Sequence, residues 1–545
     1  MPRSYDDLSR EELLALLKAR DRRDATRFGL VWETNEVERD RALNADFVAL
    51  ELDPALSAPP ADGADGWRNL IIEGDNFDAL RALRMAFAGR VKCICIDPPY
   101  NTGNRDFVYN DRFVDKDDAW RHSRWCEFMF QRLSLAKELL AQDGMIFVFI
   151  DDNEMCHLGL LLNQVFGEEN FVASIAWEKR YTRSNNAKLF YSLKDTVFVH
   201  RASGAVSFLR EPRTEKSDAI YKNPDNDPRG VWTSASYVNP ATKAKRPNLV
   251  YPIKNPFTGE EVNHPTHAWK FDRETHAQHV VENKLWWGKS GEAKFPRLKV
   301  FPKTDNVGLV PTDVWSHEES GTNDEGGAEL KAIFGQEAFS NPKPTKVIQR
   351  ILQLSTGPDD IVLDFFAGSG TTAHAVLKAN AADGGRRRFI LVSSTEATAE
   401  EPEKNLCRDV CAERVRRVIA GYGDRAGLPG DFAYLRCRRI PEGELLDIPH
   451  DQVWTALQLI HRETLEAYAA QALHWREDED GALVYIERLA RGTAAELARR
   501  VRAVPAALIY TWQPGVVRAR LAGLEHAQVE PIPRSLAARF GFKTV

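Results

Sequence analysis

The chain has no apolar run approaching the ~18 residues that a membrane span needs; its strongest, Met145 to Ile150, is strand-sized. Cysteine is sparse, seven in 545 residues, and odd in number. That excludes a disulfide scaffold, and no second cysteine pair stands near histidines at zinc-cluster spacings, so no metal site is expected. Buried reduced thiols are the expected state of Cys93, Cys95, Cys407 and Cys411. No repeat period runs through the chain, which argues against a solenoid. No Gly-Lys-Ser/Thr follows a glycine turn, which excludes a P-loop. Neither sign of charge dominates: 73 basic residues against 79 acidic ones leave a formal net of −6. Such a balance does not exclude nucleic acid, because local basic stripes matter more than the total. The charged start, Met1 to Asp7, carries no secretory pattern, so a cytoplasmic protein without membrane contact is expected.

What the chain does have is enough apolar residue, 43%, to bury a sizeable core. Its length predicts roughly three or four domains. Ser9-Arg-Glu-Glu12 is a capping box before a leucine-rich stretch and predicts a helix to about Arg20. Leu52 to Gly66, rich in Ala, Pro, Asp and Gly, reads as a linker. From Trp67 the pattern alternates: strand 69–72, helix 76–87, strand 91–96, helix 120–140, strand 145–150. It stops between about Ala176 and Val310, where Lys, Arg, aromatics and proline gather, and then resumes. Helix 345–355, strand 361–365, helix 371–379, strand 389–392 and a helix around 405–422 follow. The fold class is therefore α/β, with a parallel sheet covered on both faces. Five segments are expected: 1–66, an N-terminal helical region and linker; 67–175 and 311–425, two halves of one α/β domain; 176–310, an insert; and 426–545, an α+β C-terminal domain.

Two turns carry chemistry. In the first, Asp97-Pro98-Pro99-Tyr100 ends an apolar strand, where α/β sheets bind ligands. Two prolines stiffen the turn and have no N–H of their own, leaving carbonyls as acceptors. Asp97 with the Pro98 carbonyl suits an –NH2 group, and Tyr100 offers a face on which a ring can stack. The second turn, Asp364-Phe-Phe366-Ala-Gly368-Ser-Gly370, joins a strand to a helix N-terminus, an architecture for a nucleotide-like cofactor. Glu396, beyond the next strand, suits ribose hydroxyls; a solvated loop carboxylate reads equally well from spacing.

Asp-Pro-Pro-Tyr followed, after a long insert, by Phe-Ala-Gly-Ser-Gly resembles the circularly permuted beta class of DNA adenine-N6 methyltransferases. Asn101-Thr-Gly103, Asn341-Pro-Lys343-Pro344, Gly29-Leu-Val-Trp32 and Arg180-Tyr-Thr-Arg183-Ser-Asn-Asn186 extend the likeness to modification subunits of type III restriction-modification systems, over roughly residues 5–420. The resemblance implies a Rossmann-like sheet that binds S-adenosylmethionine. Phe366, Gly368 and Gly370 would surround its methionine part, Glu396 its ribose and Asp75 its adenine, with Asp364, Lys343 and Pro344 in the same pocket. Ser393-Ser394-Thr395 ahead of Glu396 is more polar than the family pattern. Asp97 would orient the amine of an adenine flipped out of double-stranded DNA onto Tyr100. On composition alone the insert reads as a solvated charged surface over an aromatic mini-core; the resemblance instead makes it a target-recognition region, its Trp232, Tyr237, Trp269, Trp286 and Trp287 wedging or stacking among the bases. Arg180, Arg183, Lys243, Lys245 and Arg246 are the DNA-binding candidates. A homodimer and a nuclease-translocase restriction subunit are the implied partners. A stand-alone adenine-N6 or cytosine-N4 methyltransferase, a non-catalytic DNA-binding subunit and a nucleotide-dependent oxidoreductase stay open as alternatives.

Overall fold

The computed structural model describes residues 9–10, 13–14, 18, 46–60, 64–103, 108–109, 112–113, 121–183, 189–213, 218–302, 308–398 and 401–541. Arg10, Leu13, Leu14 and Lys18 are helical, as the capping box predicts; the rest of that helix, Gly29–Trp32 and Ser184–Asn186 lie outside the described residues.

One large sheet organises the chain. Its strands are β1 (Phe47–Ala58), β2 (Leu70–Glu73), β3 (Val91–Ile96), β4 (Leu140–Ile150), β5 (Phe171–Glu178), β6 (Lys194–Arg201), β7 (Val314–Trp315), β8 (Ile361–Asp364), β9 (Arg388–Ser393) and β10 (Phe432–Ile440). Their spatial order is β1-β10-β2-β9-β8-β3-β4-β6-β5-β7. The stretch from β10 to β4 is parallel throughout. Such strands must bury both faces, and Ile71, Cys93, Ile94, Val362, Leu363 and Leu391 are all inaccessible to solvent.

Helices α1 (Asn76–Phe87), α2 (Arg121–Leu139), α3 (Met155–Phe166), α4 (Asn323–Phe334), α5 (Thr345–Ser355), α6 (Thr371–Asp383) and α7 (Glu413–Ala420) accompany this sheet. Their ends follow local chemistry. Asp75 caps α1 by accepting from the Phe77 amide at 2.8 Å, a contact worth about 1 kcal/mol. Strand β3 stops at Asp97 because Pro98 and Pro99 cannot donate to a ladder. Helix α5 buries Val347, Ile348, Ile351 and Leu352, one stripe at helical spacing.

Three expectations are corrected. The stretch read as a linker from Leu52 is strand in its first part, to Ala58: the apolar Phe47-Val-Ala-Leu50 run pairs with β10, and the register shift between Asp53 and Ala58 absorbs the proline-containing part. The insert begins later than 176, because β5 and β6 belong to the large sheet; the second compact unit is Leu209–Pro311. Residues from 426 onward form no compact unit of their own. Strand β10 lies inside the large sheet, and only from Leu473 does a separate four-stranded sheet follow. Tyr485, Tyr510 and Phe540 of this region belong to the main apolar core.

Candidate active site at the carboxyl edge of the sheet

Strands β2, β9, β8 and β3 are consecutive parallel neighbours, so their carboxyl ends open onto one edge. Asp75 follows β2, Glu396 follows β9, Phe366–Gly370 follows β8 and Asp97–Tyr100 follows β3. Val362 pairs with Cys93 and Leu363 with Ile94, which sets the two chemistry-bearing turns side by side.

The glycine turn is braced from within. Asp364 accepts from the Phe366 amide at 3.0 Å and from the Thr372 hydroxyl at 2.6 Å. Burial pushes its carboxyl up to about 7. Gly370 has φ +77, and a Cβ there would also stand 3.0 Å from the Cys411 carbonyl, so glycine is required twice over. Arg414, wholly buried, donates to Ser369 Oγ at 3.0 Å and Thr371 Oγ1 at 2.7 Å. Burial lowers its guanidinium to about 10, which leaves it charged at neutral pH. With these side chains spent on the turn itself, backbone groups and the first turn of α6 are what it offers a ligand.

At the other turn, Asp97 Oδ2 accepts from the Lys343 ammonium. Asp97 Oδ1 is buried and has no hydrogen-bond partner among the described residues. The Lys343 nitrogen lies 5.3 Å from the Tyr100 ring centre, 5.4 Å from that of Phe149 and 5.9 Å from that of Trp177. The carbonyl of Lys343 accepts from Thr371 Oγ1 at 3.2 Å. One residue thus spans both turns. Tyr100 donates its hydroxyl to Asp195 Oδ2 at 3.2 Å, and Lys179 pairs with the other oxygen at 2.6 Å. Burial, with Asp97 and Asp195 alongside, holds the Tyr100 hydroxyl well above its ordinary range, so it stays neutral. The Pro99 carbonyl is taken by the Trp125 indole at 2.7 Å and is not part of the acceptor pair expected at this turn, Asp97 with the Pro98 carbonyl.

A family model for N6/N4 methyltransferases, described as DNA methylase, matches residues 91–393, a span that runs from β3 through β9 and includes both turns. The chain belongs to the DNA methylase family. It is 34% identical over 385 residues to the type III restriction-modification enzyme StyLTI Mod subunit of Salmonella typhimurium, covering 65% of this chain and 57% of that one. Against the EcoPI Mod subunit of Escherichia phage P1 it is 32% identical, covering 60% and 58%. The chain thus spans under two thirds of the length of these Mod subunits. With the type II methyltransferase M.KpnI of Klebsiella pneumoniae it shares 30% identity, covering 66% of this chain and 88% of the relative.

The remaining expected positions divide. Asp75 pairs with Arg132 at 3.0 Å; Arg132 in turn bonds Asn76, whose amide donates to the Phe365 carbonyl at 2.9 Å. Asp75 is therefore joined to the glycine turn by a network, and Phe366 packs near Phe128. Pro344 directly precedes α5. Glu396 stands exposed at φ +52 and pairs with Lys404 at 3.1 Å. Arg180 donates to the Tyr191 hydroxyl at 3.0 Å, and Arg183 is exposed. In the Leu209–Pro311 unit, Lys243, Lys245 and Arg246 occupy one turn closed by bonds to the Thr242 carbonyl. The aromatic wedge is overturned. Tyr237, Trp269 and Trp287 are about 1% exposed or less and form that unit's own core, Trp232 is buried as well, and Trp286 is half-buried.

Sequence reasoning missed Arg132, Asp195 and Arg414. Arg414 left one trace: a charged residue on the face of α7 that also buries Val415 and Val418. Lys179, directly after β5, and Asp195 of β6 pair with each other across these consecutive strands, and only folding brings Tyr100 to Asp195, so neither carries a local pattern.

Proposed function

We propose that the chain is a site-specific DNA methyltransferase that moves a methyl group from S-adenosylmethionine to adenine N6. The observation that carries this reading is Asp97: one carboxylate oxygen already receives an N–H donor, the Lys343 ammonium, and the other is buried and unpartnered among the described residues. A buried acceptor without a donor costs about 1–3 kcal/mol, and a substrate amine would relieve it. Bound S-adenosylmethionine would supply a sulfonium methyl, an electrophile already activated. Phe366, Gly368 and Gly370 with the start of α6 would hold it, and Asp75 and Glu396 are placed around the same edge. The fit rests on the positive φ of Gly368 and Gly370, which lets backbone rather than side chain line the turn.

Asp97 and the Pro98 carbonyl accept the two amine hydrogens, which draws the nitrogen lone pair out of conjugation and aims it. Tyr100 keeps the ring in register by stacking, so the base must leave the duplex. Asp97 therefore orients, and no proton needs to reside on it before the methyl moves. Lys245 and Arg246, with Lys243, Arg180 and Arg183, are assigned to phosphate contact.

The Mod-subunit relatives support a modification subunit that works with a restriction partner, and we take the chain to act as a homodimer. The 88% coverage of M.KpnI favours a second reading, a stand-alone methyltransferase. Light scattering of the chain alone and with a candidate restriction subunit separates these. The chemistry is tested with methyl-labelled S-adenosylmethionine and duplex DNA. We expect label on adenine, and an Asp97→Ala variant that still binds the cofactor but transfers about 10²–10⁴-fold more slowly. Undiminished transfer by Asp97→Ala would sink the assignment of Asp97. Label on cytosine would move the target to N4, and cofactor binding without transfer by the unaltered chain would leave a non-catalytic subunit.

A further inference from the structure

The starts of α2 and α3 bring together three side chains that the methyl-transfer reading does not use: His122, Glu154 and His157. Glu154 immediately precedes α3 and is wholly buried; His157 lies one turn on, and His122 is the second residue of α2. His122 Nδ1 stands 2.7 Å from Glu154 Oε1, and His157 Nδ1 stands 2.7 Å from Glu154 Oε2. One ligating atom from each of the three lies within 4.8 Å of the other two.

The two short contacts differ in kind. The one from His122 is aligned as a hydrogen bond, and Arg121 Nε donates to the far nitrogen of the same ring at 3.2 Å. The one from His157 is not. Its Nδ1 and Glu154 Oε2 are both shielded from solvent, and neither has a hydrogen-bond partner among the described residues despite their proximity. A buried carboxylate oxygen left in this state costs about 1–3 kcal/mol or more. Two lone-pair atoms side by side, misaligned for a proton between them, are arranged as two ligands of one cation are.

We propose that His122, Glu154 and His157 bind one divalent transition cation of the zinc class. Two imidazoles and a carboxylate with an open position for water is an established zinc donor set. Tetrahedral coordination at these bond lengths brings donor atoms to about 3.3 Å of one another, so modest side-chain rotation closes the site. Ligation through Nδ1 requires His122 to give up the proton it shares with Glu154. Its other nitrogen then carries a proton, and Arg121 must turn away. The proton thus passes from one ring nitrogen to the other with none released, and one carboxylate with two neutral imidazoles leaves a net charge of about +1 at the site.

The cation would act as a tie. Asn101, directly after Tyr100, is wholly buried at φ +55 and donates its amide to Glu154 Oε1. Whatever fixes Glu154 therefore fixes the residue that ends the Asp97–Tyr100 turn. The search for cysteine and histidine at paired spacings could not find such a site, because α2 and α3 assemble its ligands from separate stretches of sequence.

The test uses the full chain, stripped with a chelator and then titrated with zinc by calorimetry and with cobalt by visible absorption. We expect one equivalent of zinc, and cobalt bands typical of nitrogen and oxygen ligands. His157→Ala and the His122→Ala/His157→Ala double variant should bind at least about 100-fold more weakly. Their melting in chelator should match that of the unaltered chain, because both imidazoles are partly exposed. Glu154→Gln, which keeps the volume and loses the charge, should also lose the cobalt bands. Equal zinc uptake by all these proteins, or none by the unaltered chain, overturns the proposal and leaves a hydrogen-bonded cluster only.

Discussion

At the sheet edge, Asp364 and Arg414 are buried and each is held by at least two partners, whereas in the Leu209–Pro311 unit Lys245 and Arg246 stand exposed on one turn. Neither cation has an ion-pair partner among the described residues. The two arrangements suit different work. A turn that must present backbone to a ligand has to keep its shape without one, and buried polar partners set that shape at the cost of desolvation. A surface that must exchange counterions for phosphates keeps its charges solvated until DNA arrives. Alterations at the first should therefore register in folding, and alterations at the second in salt-dependent binding alone.

The sharpest separation comes from Arg414→Ala. Removing this guanidinium takes the shared donor from Ser369 Oγ and Thr371 Oγ1, leaves Glu329 only Lys378 as counter-charge, and opens a cavity. Truncating one partner of a buried polar cluster costs about 3–5 kcal/mol. Denaturant unfolding should show that loss, and calorimetric affinity for S-adenosylmethionine should fall with it as the turn loosens. A stable variant with intact cofactor affinity would show that the turn holds its shape without this side chain.

The edge was legible where its determinants are local. Residues Asn76–Phe87, Val91–Ile96 and Thr345–Ser355 run as the sequence predicts because an acidic cap, a proline pair and a single apolar stripe mark them. Asp97 and the glycine turn were legible for the same reason: each punctuates a strand. What brings them together, the ammonium of Lys343 on Asp97 and its carbonyl beneath Thr371, depends on the pairing of β3 with β8 and had no local signature. The reading of Leu52–Gly66 failed in the opposite direction. Its composition is that of a linker, yet a partner strand far along the chain supplies the ladder that draws its first part, to Ala58, into β-structure. In the insert, composition alone favours an aromatic core beneath a charged surface, as the unit has, and the resemblance turns that reading toward the bases. The unit's small size decides for the core, since about a hundred residues must bury their largest rings to have a core at all.

A smaller effect is expected from pH, through Asp364. Its carboxyl rises from an ordinary 3.8 to about 7 on folding because burial disfavours the charge. The folded chain therefore keeps a proton that the unfolded chain has already lost. Stability from this group is complete below about 4, falls as pH rises toward 7, and is flat beyond. Between pH 5.5 and 8 the loss integrates to about 2 kcal/mol. Asp364→Asn cannot ionise and can still accept from the Phe366 amide, so the difference in unfolding free energy between variant and unaltered chain should shift in the variant's favour over that interval. A pH-independent difference would mean that the carboxyl ionises in the fold as it does in water.

The last and smallest effect tests the other side of the comparison. Lys243→Gln/Lys245→Gln/Arg246→Gln removes three positive charges from one turn whose backbone bonds, to the Thr242 and Thr266 carbonyls, use no side-chain atom. Unfolding free energy should stay within about 0.5 kcal/mol, as for most exposed substitutions. If all three charges meet phosphate, the slope of log affinity against log salt should become shallower by about 2–3, with roughly tenfold weaker duplex binding near physiological salt. The loss should be similar for specific and random duplexes, because phosphate contacts carry no sequence information. An unchanged slope would move the electrostatic footprint off this turn, with Arg180 and Arg183 as the next cations to neutralise. A slope change confined to one sequence would instead mean that at least one of the three reads a base edge, since only a groove contact can tell one duplex from another.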